Sequence, residues 1–82
     1  MMAETSREEL LAKFKRTGRR DYGDARSLLE AWQFTCRHSG RGHAVWVHTR
    51  GLTLTIPKTR ELAAFYQSLV VKKIRQLQLL DD

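Results

Sequence analysis

The stretch from Gln33 to Pro57 reads QFTCRHSGRGHAVWVHTRGLTLTIP, and its patterning decides the fold. Phe34, Cys36 and His38 alternate with Gln33, Thr35 and Arg37, the two-residue period of a strand with opposed faces. Ser39-Gly40-Arg41-Gly42 is a turn, and a second strand is expected from about Ala44 to His48. The triplet Thr49-Arg50-Gly51 suits a hairpin loop with glycine in the left-handed position. A third strand, Leu52 to Ile56, places Leu52, Leu54 and Ile56 on one face and Thr53 and Thr55 on the other, and Pro57 ends it. Three strands joined by such short connections form an antiparallel meander.

Outward from this sheet the period becomes helical. Upstream, Ala25, Leu28, Leu29 and Trp32 fall on one helical face, with Asp24 as the expected N-cap. Trp32 is expected in the core, whereas Trp46, between Val45 and Val47, could face either side of the sheet. Downstream, a helical stretch is expected from about Arg60 to Leu80, with Arg60 to Ser68 open to being an irregular turn. Its expected buried stripe is Leu62, Phe65, Tyr66, Leu69, Val70, Ile74 and Leu77, with Lys72, Lys73 and Arg75 toward solvent. Two amphipathic helices of this kind cover one face of a sheet, an α+β arrangement. Before them, Ser6-Arg7-Glu8-Glu9 reads as a capping box for a further short helix from about Arg7 to Arg16, stopped at Gly18. The stretch Lys13 to Arg20 carries Lys13, Lys15, Arg16, Arg19 and Arg20 and no acid, which reads as a basic arm rather than core.

The chain has 82 residues, enough for one domain with a modest core. Its net charge of +6 points to a polyanionic partner, nucleic acid first, then an anionic membrane surface or an acidic protein. Cys36 is the single cysteine, so no internal disulfide can form, in keeping with a reducing compartment. No apolar run approaches a membrane span, and Met1-Met2-Ala3-Glu4 lacks the pattern of a secretion signal, so a cytoplasmic protein without membrane attachment is expected. Cys36, His38, His43 and His48 do not have the paired spacing of metal ligands, so neither metal nor cofactor is expected. The strands between Gln33 and Ile56 leave no adjacent helix pair for a DNA-binding helix-turn-helix.

The ordered set of features resembles one family. Asp24 to Trp32, a strand, Gly40-Arg41-Gly42-His43 opening the next strand, Leu54-Thr55-Ile56-Pro57 and a closing helix are similar to the HicA (YcfA-like) proteins. The likeness covers about Tyr22 to Leu80. Gln33 and Leu79 stand where that family commonly has glycine, and Arg41 where it commonly has serine. The resemblance implies a double-stranded-RNA-binding-like fold, a three-stranded antiparallel sheet with two helices on one face, here with an extra N-terminal helix. Residues 1–21 would be a basic N-terminal helical extension and residues 22–82 the HicA-like domain. It further implies the toxin of a toxin–antitoxin pair: an endoribonuclease that cuts mRNA without a metal, is blocked by a HicB-like antitoxin and forms small oligomers through it. The family's catalytic histidine falls on His43.

The chemistry suits these residue types. RNA carries its own nucleophile in the 2′-hydroxyl. Cleavage needs a proton removed there, a proton given to the departing 5′-oxygen, and a cation to hold the phosphoryl charge. Histidine exchanges protons near neutrality. Glycines beside His43 allow close backbone approach, and Arg41 offers a planar charge to phosphate. His48 and Lys58 are the candidates for a second acid–base group, whereas His38 and His48, each at a strand end, also need no function to explain them. Arg41, Lys58, Lys72 and Lys73 are the candidate RNA-binding residues. The competing readings are a non-catalytic RNA-binding module of the same fold, and a basic protein whose target is another protein.

Overall fold

The computed structural model describes residues 2–16 and 21–80. The elements run α1 (Met2–Arg16), α2 (Tyr22–Ala31), β1 (Thr35–Ser39), β2 (His43–Val47), β3 (Thr53–Pro57) and α3 (Ala64–Leu80). The sheet is antiparallel in the order β1-β2-β3, the expected meander.

Helix α2 is defined at both ends by local chemistry. Asp21, not Asp24, is its N-cap. The Asp21 side chain accepts from the Asp24 N–H at 2.8 Å, and the Asp24 carboxylate accepts from the Asp21 N–H at 3.0 Å. This reciprocal box places Asp24 at the third helical position, so the helix starts three residues earlier than a cap at Asp24 would allow. At the other end the Phe34 N–H reaches the Leu29 carbonyl at 2.9 Å and the Gln33 N–H reaches that of Glu30 at 3.0 Å. Gln33 sits between them with φ +72°. These two bonds define a Schellman stop, which turns the chain from helix to strand and places Phe34 in the core that holds Leu28 and Leu29.

The face of the sheet under the helices carries Ala44, Trp46, Leu54 and Ile56, all buried. They join Ala25, Leu28, Leu29 and Trp32 of the α2 segment, and Val70, Ile74 and Leu77 of α3, in one core. Trp46 thus takes the inner face. Thr53 and Thr55 are exposed on the outer face, as the alternation in β3 predicts. The β2–β3 loop is Thr49-Arg50-Gly51, closed by His48 N–H to Leu52 carbonyl at 2.8 Å, with Gly51 at φ +91°. The Arg50 guanidinium then donates to the Leu80 carbonyl at 2.9 Å, satisfying one end carbonyl of α3. The C-terminus of α3 therefore lies at the β2–β3 hairpin, and its N-terminus at the opposite end of the sheet.

Several expectations are corrected. Ser6 is inside α1 rather than capping it, because Met2, Ala3 and Glu4 continue the helix by a turn. Leu11 and Phe14 belong to the same core as the sheet, so Lys13 to Arg16 is not held apart from it. Lys13, Lys15 and Arg16 crowd the last turn of α1, where the helix dipole favours cations. Gly18, Arg19 and Arg20 fall outside the described residues. Helix α3 begins at Ala64, leaving Arg60 to Ala63 as connector, yet Leu62 is buried there. Phe65, expected in the buried stripe, is 69% exposed. With Ala63 as the first carbonyl of α3, the stripe runs through Val70, Ile74 and Leu77, and Phe65 falls on the other side.

Candidate nucleic-acid interface

The β1–β2 loop is a tight tip. The Gly40 N–H donates to the His43 carbonyl at 2.8 Å, leaving Arg41 and Gly42 at the apex. The Lys58 N–H donates to the Gly42 carbonyl at 2.8 Å, and His43 pairs with Pro57, so the end of β3 lies alongside the tip. His43 is the first residue of β2, exposed on the outer face. Lys58, distant in sequence, is thereby gathered with Arg41 and His43 at one end of the sheet, all three exposed. Apart from its chain neighbours, no described atom lies within 4 Å of where a Cβ on Gly42 would stand, so the apex is open on that side.

The N-terminus of α2 is anchored at the same end, through the Tyr22 N–H to the Thr59 carbonyl at 2.9 Å. The Asp24 N–H in its first turn is taken by the Asp21 side chain, and the Ala25 N–H by the Asp21 carbonyl. The Asp21 and Asp24 carboxylates thus stand at this helix end, where an anion would otherwise be favoured. The Tyr22 phenol is pushed above its ordinary pKa, first by burial and next by its electrostatic interaction with Cys36, with Trp46 and Arg26 acting the other way. The Trp46 indole N–H is buried without an acceptor in bonding geometry among the described residues, although it lies close enough to influence that phenol.

The other candidates lie elsewhere. Lys72 lines a groove between α1 and α3, with Lys15 and Arg75 over Phe14, Val71 and Leu79. Eight residues into α3, it stands about 12 Å along the axis from the helix start. Lys73 follows it on the half-buried side of the same turn. Neither is brought to the His43 tip. His48 sits at the far end of β2, where its Nδ1 accepts from the Arg50 N–H at 3.0 Å and its ring meets Phe34 edge-on at 5.1 Å. Its place is explained by the hairpin it closes. Among the described residues, no three of His, Cys, Asp and Glu converge as a metal site would require. No helix of the described residues is long and apolar enough to cross a membrane.

Two features were not legible beforehand. Phe65 presents an exposed ring at the N-terminal end of α3, the end nearer the tip, edge-on to Tyr66 at 5.1 Å. Such a ring is a stacking surface for an unpaired base. His38, expected beside Cys36 on the same face, is on the other. Cys36 pairs with Trp46, but the next pair is His38 with Val45, so Arg37 is an extra residue in a β-bulge. A bulge inverts the alternation beyond it. Period two in the sequence carries no mark of the extra residue. Comparisons with protein-family descriptions, curated proteins and solved structures found no match to this chain.

Proposed function

We propose that this protein is an endoribonuclease on a double-stranded-RNA-binding-like fold, the toxin of a toxin–antitoxin pair, acting on mRNA in the cytoplasm without a metal. Helix α1 is then an addition to that fold. The observation that carries the reading is the exposed tip: His43 at the start of β2, flanked by Gly42 and Arg41 and backed by Lys58. His43 moves a proton at the sugar–phosphate, Arg41 and Lys58 hold the phosphoryl charge, and the RNA's own 2′-hydroxyl attacks. The products are a 2′,3′-cyclic phosphate and a 5′-hydroxyl. The basic groove on the helical layer, lined by Lys15, Lys72 and Arg75 beside apolar Phe14 and Val71, suits an acidic antitoxin segment.

The test is induced expression of wild type beside His43→Ala, following growth and total RNA. Growth arrest with RNA loss in the wild type alone supports the reading. Healthy growth and intact RNA with soluble wild-type protein point to a non-catalytic RNA-binding module. Equal toxicity from both proteins removes His43 from the mechanism.

A further inference from the structure

Ribonucleolytic transesterification moves two protons at two different oxygens, and His43 supplies one of these transfers while Lys58, in the reading above, holds the phosphoryl charge. We infer that His38 supplies the other, placed beside His43 by the bulge at Arg37; the inference rests on the ribonuclease reading above.

The register makes the case. His38 is opposite Val45, and His43 is two residues before Val45 on the same strand, so His38 and His43 are diagonal neighbours on the outer face. Diagonal positions on an antiparallel pair are about 7–8 Å apart at the backbone, within joint reach of two long side chains. The His38 ring also leans toward the tip. Its Nε2 lies 3.6 Å from where a Cβ on Gly40 would stand, and Gly40 is the residue paired with His43. Glycine at 40 therefore leaves the space across which the two imidazoles face one phosphodiester. Both histidines are exposed, and the neighbouring charges are Arg37 in the bulge, Arg41 at the apex and Lys58 at the end of β3. Without the extra residue, His38 would point with Cys36 into the helical side of the sheet.

The step balances. One imidazole takes the proton of the 2′-hydroxyl as the O2′–P bond forms. The other, protonated, gives its proton to the 5′-oxygen as the P–O5′ bond breaks. The two products are the cyclic phosphate and the 5′-hydroxyl, and no oxidant, metal or co-reactant enters.

The experiment measures the pH dependence of cleavage of a single-stranded RNA by wild type, His38→Gln and His43→Gln, with end groups identified. The expected result is a bell-shaped profile for wild type. In His38→Gln the rate falls by about a hundredfold to ten-thousandfold and one limb of the bell disappears. In His38→Gly, free imidazole restores cleavage, which an unfolded variant cannot show. A His38→Gln protein that keeps the wild-type rate and both limbs overturns this inference while leaving the ribonuclease reading in place. A wild-type protein that cleaves no RNA overturns both.

Discussion

The indole N–H of Trp32 donates to the Arg7 carbonyl at 3.1 Å, and the Arg7 guanidinium lies 4.2 Å from the centroid of that same indole ring. Two residues separated by 25 positions thus clasp α1 to the end of α2. The clasp is imperfect, because the Arg7 Nε is buried without a hydrogen-bond partner among the described residues. Removing the cation–ring contact with Arg7→Ala should lower stability by about 1 kcal/mol. Arg7→Met keeps the stem over the ring and removes the unpaired Nε, so it should cost less. Urea unfolding of both variants checks this; equal losses would mean that the stem over the ring contributes nothing.

Gln33 occupies a left-handed conformation that glycine adopts without strain. Gln33→Gly should therefore stabilise the protein by about 0.5–1 kcal/mol, and Gln33→Val should destabilise it by at least as much. Thermal unfolding decides between them, and a destabilised glycine variant would contradict the Schellman stop at this position.

Leu62 is buried as helical spacing suggests, although it precedes the helix, whereas Phe65 is exposed. Leu62→Ala should cost about 2–5 kcal/mol, since its side chain is fully buried. Phe65→Ser should change stability by no more than about 0.5 kcal/mol, yet weaken binding to single-stranded RNA if bases stack on the ring. Chemical denaturation alongside a filter-binding titration separates the two effects.

The raised Tyr22 pKa has a definite sign. The folded state holds the phenolic proton more tightly than the unfolded state, whose phenol ionises near the ordinary 10.0. Its contribution is fully present below about pH 10 and is lost as pH rises through the folded value. Stability should therefore decline less steeply above pH 10 in Tyr22→Phe than in wild type. Parallel slopes would show that Tyr22 does not carry the alkaline loss.

Under the proposed function, Arg41→Ala should weaken RNA binding at every sequence and reduce the salt slope by about one. Lys72→Ala, in the α1–α3 groove, should have a smaller effect on RNA. Affinities measured across a salt series would reverse the assignment if Lys72 proved the more important, placing the RNA track over the helices.

What could be read before folding is what neighbours in the chain impose on one another. The alternation Leu52-Thr53-Leu54-Thr55-Ile56 predicts β3 with its faces, since a strand's side-chain period is set by backbone geometry alone. Gly51 marks a hairpin because the left-handed conformation is open to glycine at little cost. The stripe Ala25, Leu28, Leu29, Trp32 specifies a helix face by spacing. Cation chemistry at the tip follows from Arg41 standing two residues before a histidine.

Tertiary structure decided the rest, where two solutions were locally close in energy and a distant partner selected one. Asp21 and Asp24 are both acceptable caps, and the Tyr22 N–H bond to Thr59 favours the earlier start. Trp46 could have faced either way until α2 and α3 supplied an apolar cover on one side. The face of His38 depends on an extra residue opposite β2, a matter of register between strands that neither strand encodes alone. A strand's alternation is a property of one chain segment, but register is a property of two. The side chains that meet at the tip are set by the second.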